Sequence, residues 1–116
     1  MRALLALVVG LVAVAGCGGD DGGGGASSSA CPNGAVTIKM VDTKFDPETA
    51  TASVGDTVCW VNEDSIQHNA VAESGASFKS ELFNKGETFT AKLDQAGDVK
   101  YVCTVHPGMT GDITVK

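Results

Sequence analysis

Apolar and polar side chains alternate along several short stretches of this chain, and residues that favour turns separate the stretches. Alternation of this kind places every second side chain on one face of a β-strand. The stretches run at 36–40, 57–62, 89–93, 99–103 and 111–115. Only residues 78–85 could hold a helical turn. We therefore predict an all-β domain, built as an antiparallel sandwich or a small barrel.

The charge balance and the histidine content exclude several classes of function. The 14 acidic residues outnumber the 8 basic ones and give a formal net charge of −6, whereas a nucleic-acid surface needs clustered Lys and Arg. The 2 histidines of the chain cannot form a site that needs three imidazoles. The phosphate-binding motif G-x-x-x-x-G-K-[ST] is absent. We expect no nucleic-acid partner and no nucleotide site of the Walker type.

Residues 1–16 have the anatomy of an export signal. A positive charge at Arg2 precedes an apolar run that is too short to span a bilayer as a helix but suits the core of a signal peptide. The small residues directly before Cys17 resemble the lipobox of bacterial lipoproteins. This resemblance implies cleavage before Cys17 and lipidation of that cysteine. An ordinary signal-peptidase site with an incidental cysteine is the alternative.

Residues 17–30 contain Gly, Ser and Asp but no large side chain. Such a segment cannot bury apolar surface, so we predict a disordered tether here. The folded domain is then 31–116. We expect the protein to act outside the cytoplasm, anchored by lipid to the bacterial cell membrane on its periplasmic or outer face.

Three side chains that bind soft metals lie close together near the C-terminus, at Cys103, His106 and Met109. A second imidazole can come only from His68, the other histidine of the chain. Two imidazoles and a thiolate with a weak axial thioether form a blue-copper site, because soft sulfur combined with imidazole selects copper. A structural zinc site is the alternative, although zinc seldom takes a thioether. We predict one type 1 copper ion.

A series of motifs precedes this cluster, in the order Phe45-Asp46-Pro47, Gly55-Asp56-Thr57-Val58, Trp60-Val61-Asn62, His68-Asn69, Phe78 with Ser80, and Gly86-Glu87-Thr88-Phe89. Together with the C-x-x-H-x-x-M loop, this ordered set resembles the cupredoxins, in particular the plastocyanin, halocyanin and amicyanin group, over almost the whole domain. The loop, with Pro107 directly after the histidine, is most similar to that of amicyanin. The resemblance implies an eight-stranded Greek-key β-sandwich that binds one copper ion. It assigns the ligands to His68, Cys103, His106 and Met109.

The spacing of the loop accounts for the convergence of three donors. Cys103 ends a strand whose alternation points its sulfur toward the end of the core. Pro107 and Gly108 suit the two central positions of a type II turn. Such a turn folds Met109 back beneath His106.

The resemblance also implies residues that orient the ligands. In the family the Asn after the first histidine links the two ligand loops, so we expect Asn69 to hydrogen-bond near Thr104. With Pro107, these are the predicted residues around the ligands, and such contacts tune a metal. An ordinary loop amide at position 69 is the alternative.

Two of the four cysteines have no role so far. Cys17 is assigned to lipid and Cys103 to metal, which leaves Cys31 and Cys59, and export favours a disulfide between them. The alternation turns Cys59 away from the core, so Cys31 would lie across the outer surface of the sheet. Two reduced thiols are the alternative.

The leading interpretation is a one-electron carrier between redox proteins, such as a c-type cytochrome, an oxidase or a dehydrogenase. Protein side chains fill all four ligand positions, which leaves none for a substrate and argues against an enzyme. A fragment of a multicopper oxidase or a copper nitrite reductase would need histidines that this chain lacks. The alternative is a copper carrier or sensor that delivers metal instead of electrons. We expect a monomer.

Electrons are expected to pass at the second histidine of the ligand set, whose ring edge reaches solvent in the resembled family. Pro107, Gly108 and Ile66 would surround that edge with an uncharged collar that lets a partner approach closely. Glu63 and Asp64 are expected as surface charges that contribute orientation and association rate more than affinity.

Overall fold

The computed structural model describes residues 30–116. The predicted signal peptide at 1–16, the lipidated Cys17 and the tether before residue 30 lie outside the described residues. The strands are β1 (Val36–Val41), β2 (Lys44–Asp46), β3 (Thr49–Ala52), β4 (Thr57–Asn62), β5 (Val71–Ser74), β6 (Thr88–Lys92), β7 (Gly97–Val102) and β8 (Thr110–Val115). Within 30–116 the chain forms no helix, so none there could cross a membrane.

The strands form two four-stranded sheets, in the orders β2-β1-β4-β6 and β3-β8-β7-β5. β1 pairs parallel with β4 and β3 pairs parallel with β8, whereas the other pairs of strands are antiparallel. The alternation predicted an antiparallel sandwich or a small barrel; the sandwich is confirmed, but two of its strand pairs are parallel. After β2 the chain crosses to the second sheet for β3, and β4 then returns to the first sheet in the direction of β1. This crossing confirms the eight-stranded Greek-key β-sandwich that the family resemblance implied.

The alternation does select the residues of the core. In β1, Ile38 and Met40 point inward and are fully buried. Trp60 of β4 lies at the centre, with its ring centroid 5.3 Å from that of Tyr101 in β7 and 4.9 Å from that of Phe78. Because β4 and β7 belong to different sheets, these ring contacts hold the two sheets together.

The segment 78–85 is extended and does not form the helical turn considered for it. The Ser80 N–H donates to the Ala70 carbonyl at 3.0 Å, and Phe83 forms an antiparallel bridge with His68. The backbone of this segment therefore pairs with residues 68–72, and a helix at 78–85 would leave the backbone groups of those residues without their partners.

Cys31 and Cys59 form the predicted disulfide, with their Cα atoms 5.8 Å apart. Cys59 follows the inward-facing Val58 along β4 and so faces away from the core, yet it is fully buried. The segment that contains Cys31 lies over it. The cross-link thus ties the chain before β1 to the outer face of the first sheet.

One end of the sandwich collects the segments that carry the predicted ligands. β1 and β4 run parallel and end there together, and β7 ends there beside the beginning of β8. His68 lies in the segment between β4 and β5, whereas Cys103, His106 and Met109 lie in the loop between β7 and β8. The fold therefore brings two distant parts of the sequence to the same place.

Candidate metal centre

Backbone pairing positions His68. Its N–H donates to the Phe83 carbonyl at 3.3 Å, and its own carbonyl accepts from the Phe83 N–H at 2.9 Å. The side chain is fully buried, and its Nδ1 lies 3.7 Å from Sγ of Cys103. The bridge to Phe83 thus places the imidazole beside the thiol.

The loop between β7 and β8 folds back on itself as predicted. The Cys103 N–H donates to the Met109 carbonyl at 3.0 Å, and the Met109 N–H donates to the His106 carbonyl at 3.0 Å. Gly108 has a φ of 88°, which the third position of a type II turn requires. Both Cys103 and Met109 are buried by this arrangement.

The imidazole of His106 faces that of His68, with ring centroids 4.7 Å apart. Nε2 of His106 lies 3.2 Å from the carbonyl oxygen of Gln67. A carbonyl only accepts hydrogen bonds, so Nε2 carries the proton and Nδ1 keeps its lone pair. His106 therefore has Nδ1 free to bind a metal ion.

One donor atom from each of His68, Cys103 and His106 lies within 4.8 Å of the other two. Two imidazole nitrogens and a thiol sulfur, converging from two segments, fit the equatorial ligand set of type 1 copper. Met109 lies buried in the same loop, where a thioether suits the weak axial position. The residues present therefore fit copper, and the assignment of all four as ligands stays a prediction.

Asn69 joins the two ligand-bearing segments, as expected. Its Nδ2 donates to Oγ1 of Thr104 at 2.9 Å, and its Oδ1 accepts from the Thr104 N–H at 2.8 Å. Asn69 is 7% exposed, so water competes little for these hydrogen bonds. Asn69 follows His68 and Thr104 follows Cys103, so these two hydrogen bonds fix the distance between the two ligand segments.

Asp64 contacts His68, although the sequence analysis placed it among the surface charges. Its Oδ2 lies 2.7 Å from Nε2 of His68, and its side chain is 15% exposed. Because a carboxylate accepts hydrogen bonds, Nε2 of His68 carries the proton, and Nδ1 is the nitrogen that faces Cys103. The prediction of a free surface charge at Asp64 is therefore wrong. An acid four residues before a histidine was the available signal, but that spacing implies contact only in a helix.

Two backbone amides also hold the Asp64 carboxylate. The Asp42 N–H donates to Oδ1 at 2.8 Å and the Thr43 N–H donates to Oδ2 at 2.9 Å. Burial alone would raise the pKa of Asp64, but the hydrogen bonds from Thr43, His68 and Asp42 outweigh it and hold this pKa below its ordinary value. Asp64 is therefore an anion beside His68 at neutral pH.

Asn62, a second residue whose role the sequence analysis missed, shapes the loop that carries Asp64. It is fully buried, and its Nδ2 donates to the carbonyls of Ile66 and Phe83, both at 2.9 Å. Its Oδ1 accepts from the Asp64 N–H at 2.8 Å. One side chain thus connects the end of β4, the start of the His68 loop and the segment that pairs with His68.

Of the three clustered donors, only His106 is partly exposed. Pro107 and Gly108 are exposed next to it in the chain. Ile66, whose neighbour in the chain accepts the His106 hydrogen bond, is 44% exposed. Val105 is 46% exposed and adds apolar surface that the sequence analysis did not include. These four residues around the partly exposed His106 carry no charge.

Comparisons with known proteins agree with this geometry. Residues 32–116 match the family described as copper binding proteins, plastocyanin/azurin family. Amicyanin of Paracoccus denitrificans is 30% identical over 88 residues, which cover 72% of this chain and 67% of the relative. Plastocyanin of Scenedesmus fuscus is 39% identical over 84 residues, covering 62% of this chain and 86% of the relative. A solved structure of an amicyanin mutant in its oxidized state superposes with a TM-score of 0.74 at 26% identity, covering 80% of this chain and 93% of that one.

Proposed function

The chain belongs to the plastocyanin/azurin family of copper-binding proteins, and on this premise we propose a one-electron carrier whose copper ligands are His68, Cys103, His106 and Met109. The observation that carries the proposal is the convergence of donor atoms from His68, Cys103 and His106 within 4.8 Å. Copper, when bound, alternates between Cu(I) and Cu(II) and so takes up or releases one electron.

The surrounding residues keep the donors in one arrangement. Asn69 bonds twice to Thr104, and Asn62 ties the His68 loop to its neighbours. Locked side chains of this kind hold a site within a fraction of an ångström of its working geometry. A site that does not rearrange loses little energy to reorganisation when an electron arrives or leaves.

The burial of the donor residues argues against an enzyme and against a copper carrier or sensor. If all four donors bind the metal, no position is left for a substrate. A protein that delivers copper must expose its ligands to the acceptor, whereas His68 and Cys103 are 0% and 3% exposed. Transfer of electrons through the edge of His106 needs no such exposure.

We place this activity outside the cytoplasm, on a protein tethered to the membrane through a lipid on Cys17. The signal-like residues 1–16 support this proposal, and so does the disulfide between Cys31 and Cys59, because disulfides persist in oxidising compartments. Expressed with its signal, the protein should partition into the detergent phase, and Cys17→Ala should release it or block its processing. An unmodified Cys17 at the mature N-terminus in intact-mass analysis would exclude the anchor.

The apolar surroundings of His106 suggest how a partner docks. A redox protein with an uncharged patch would approach closely at Ile66 and Pro107 with little desolvation cost, and close approach makes electron transfer fast. Binding through so small a surface is transient. A charge placed there should disturb docking without touching the metal ligands.

Electron self-exchange in the copper-loaded protein tests this proposal. Ile66→Glu and Pro107→Glu should each slow exchange at least about tenfold, because like charges would face each other in the encounter. Val54→Glu is the matched control. Val54 is 50% exposed, and its N–H bonds to the carbonyl of Lys116, which follows the end of β8 that lies away from the metal centre. The thiolate-to-copper colour should persist in all three variants, because none of these positions is a proposed ligand.

The outcomes separate the functions. Fast exchange that slows only in the Ile66 and Pro107 variants supports an electron carrier that works through His106. Unaltered rates in both variants would mean that electrons leave by another face, near Tyr101 or Val102. Negligible exchange in the unmodified protein, combined with rapid loss of copper to a chelator, would favour the copper carrier or sensor instead.

A further inference from the structure

The turn between β1 and β2 has an unusual backbone. Asp42 and Thr43 occupy its two central positions with φ values of 55° and 59°. Glycine, asparagine and aspartate normally fill such positions, because a left-handed backbone is costly for other residues and most of all for a β-branched one such as Thr43. Something outside the turn must therefore stabilise it.

That stabilisation comes from Asp64. The N–H groups of Asp42 and Thr43 point to the same carboxylate and donate to its two oxygens at 2.8 Å and 2.9 Å. The Asp64 N–H is itself fixed by Asn62, a fully buried side chain. The turn thus holds the carboxylate, and Asn62 holds the backbone that carries it.

The carboxylate so placed bonds to the buried histidine. Its Oδ2 lies 2.7 Å from Nε2 of His68, and the opposite nitrogen of the ring lies 3.7 Å from Sγ of Cys103. A carboxylate on the far nitrogen of a metal-binding histidine fixes the tautomer and the ring orientation and makes the imidazole a stronger donor.

We propose that Asp64 is a positioning residue of the copper centre, which aims Nδ1 of His68 at the metal and, through its negative charge, favours Cu(II) over Cu(I). The two N–H groups of the left-handed turn, at Asp42 and Thr43, hold the Asp64 carboxylate in place. This inference rests on the proposed role of His68 as a ligand.

The reduction potential and the Cu(II) affinity of Asp64→Asn test the inference. Loss of the charge should shift the equilibrium toward Cu(I) about tenfold against a fixed partner, which corresponds to a potential about 59 mV higher. Affinity for Cu(II) should fall about 10- to 100-fold, as is typical when a residue that orients a ligand is removed.

Two further variants separate this role from simpler ones. Glu63→Gln removes the same charge one residue earlier, from a side chain that is 44% exposed and pairs only loosely with Lys39, at 3.9 Å. Thr43→Gly relieves the left-handed backbone, so Thr43→Gly combined with Asp64→Asn stabilises the turn without restoring the negative charge beside His68. We expect the potential to stay near the original value in Glu63→Gln and to stay raised in the double variant.

Each result has one interpretation. Equal shifts of the reduction potential in Asp64→Asn and Glu63→Gln would mean that any nearby surface charge has this effect, and would overturn the proposal. Return of the original potential and Cu(II) affinity in the double variant would mean that Asp64 acts only by stabilising the turn, and this result would also overturn the proposal. If the unmodified protein binds copper without the thiolate-to-copper colour, the proposed function fails, whereas a blue protein with an unaltered Asp64→Asn potential refutes this inference alone.

Discussion

Removal of the Asn69 side chain should loosen the connection between the two ligand segments. Asn69→Ala removes the hydrogen bond to the Thr104 hydroxyl and leaves the Thr104 N–H without its acceptor. The first loss costs about 0.5–1.5 kcal/mol and the second about 1–3 kcal/mol. We therefore expect the free energy of unfolding of the metal-free protein to fall by about 1.5–4.5 kcal/mol.

Thr104→Val separates the two contributions, because it removes the hydroxyl and keeps the N–H bonded to Asn69. It should cost about 1–3 kcal/mol, because it leaves Nδ2 of the buried Asn69 without its acceptor. Gln67→Ala is the matched control: the Gln67 side-chain amide bonds to the exposed Asn84 side chain, and its loss should change the free energy of unfolding by less than about 0.5 kcal/mol. Urea denaturation followed by Trp fluorescence gives all four values. If Asn69→Ala lowers the free energy of unfolding by no more than Gln67→Ala does, the hydrogen bonds between Asn69 and Thr104 do not stabilise the fold and the reasoning is refuted.

Three further predictions follow from other parts of the molecule. Replacing Cys31 and Cys59 by Ala opens a cross-link between positions 28 residues apart and should cost about 3–4 kcal/mol by chain entropy; a changed visible spectrum would contradict its place outside the metal centre. Met109→Leu should keep copper and colour and raise the potential measured by voltammetry, because a weak donor that favours Cu(II) is lost; a lower potential would argue against the axial role. Burial raises the pKa of Tyr101. The contribution of Tyr101 to the free energy of unfolding is therefore fully present below about pH 10, the unfolded-state pKa of tyrosine, and falls as the pH rises above it. Tyr101→Phe should remove this alkaline loss in urea titrations, and an unchanged pH profile would assign the loss to another group.

The alternation identified the inward-facing residues but not the pairing of the strands. Ile38 and Trp60 belong to the core because neighbouring side chains in a strand point to opposite faces, which is a local property. Whether β1 runs parallel or antiparallel to β4 depends on where the chain crosses between sheets, and periodicity contains no information on that. The Greek-key order was available only from the resemblance to the cupredoxins.

The metal centre shows a similar division. Cys103, His106 and Met109 could be grouped from the sequence because one short loop carries them, and His68 because the chain contains only 2 histidines. Asp64 could not be connected to His68, since a spacing of four residues has no fixed geometry outside a helix. Its position depends on the left-handed turn at Asp42 and Thr43, and the second of these residues is a threonine where such a turn usually has glycine.

The visible spectrum of the copper-loaded, oxidised protein, recorded beside that of Cys103→Ser, tests the central claim most directly. Coordination of copper by the Cys103 thiolate predicts an intense thiolate-to-copper charge-transfer band in the unmodified protein and its loss in Cys103→Ser. A copper-loaded protein without that band, or a Cys103→Ser variant that stays intensely blue, would contradict the assignment of the site.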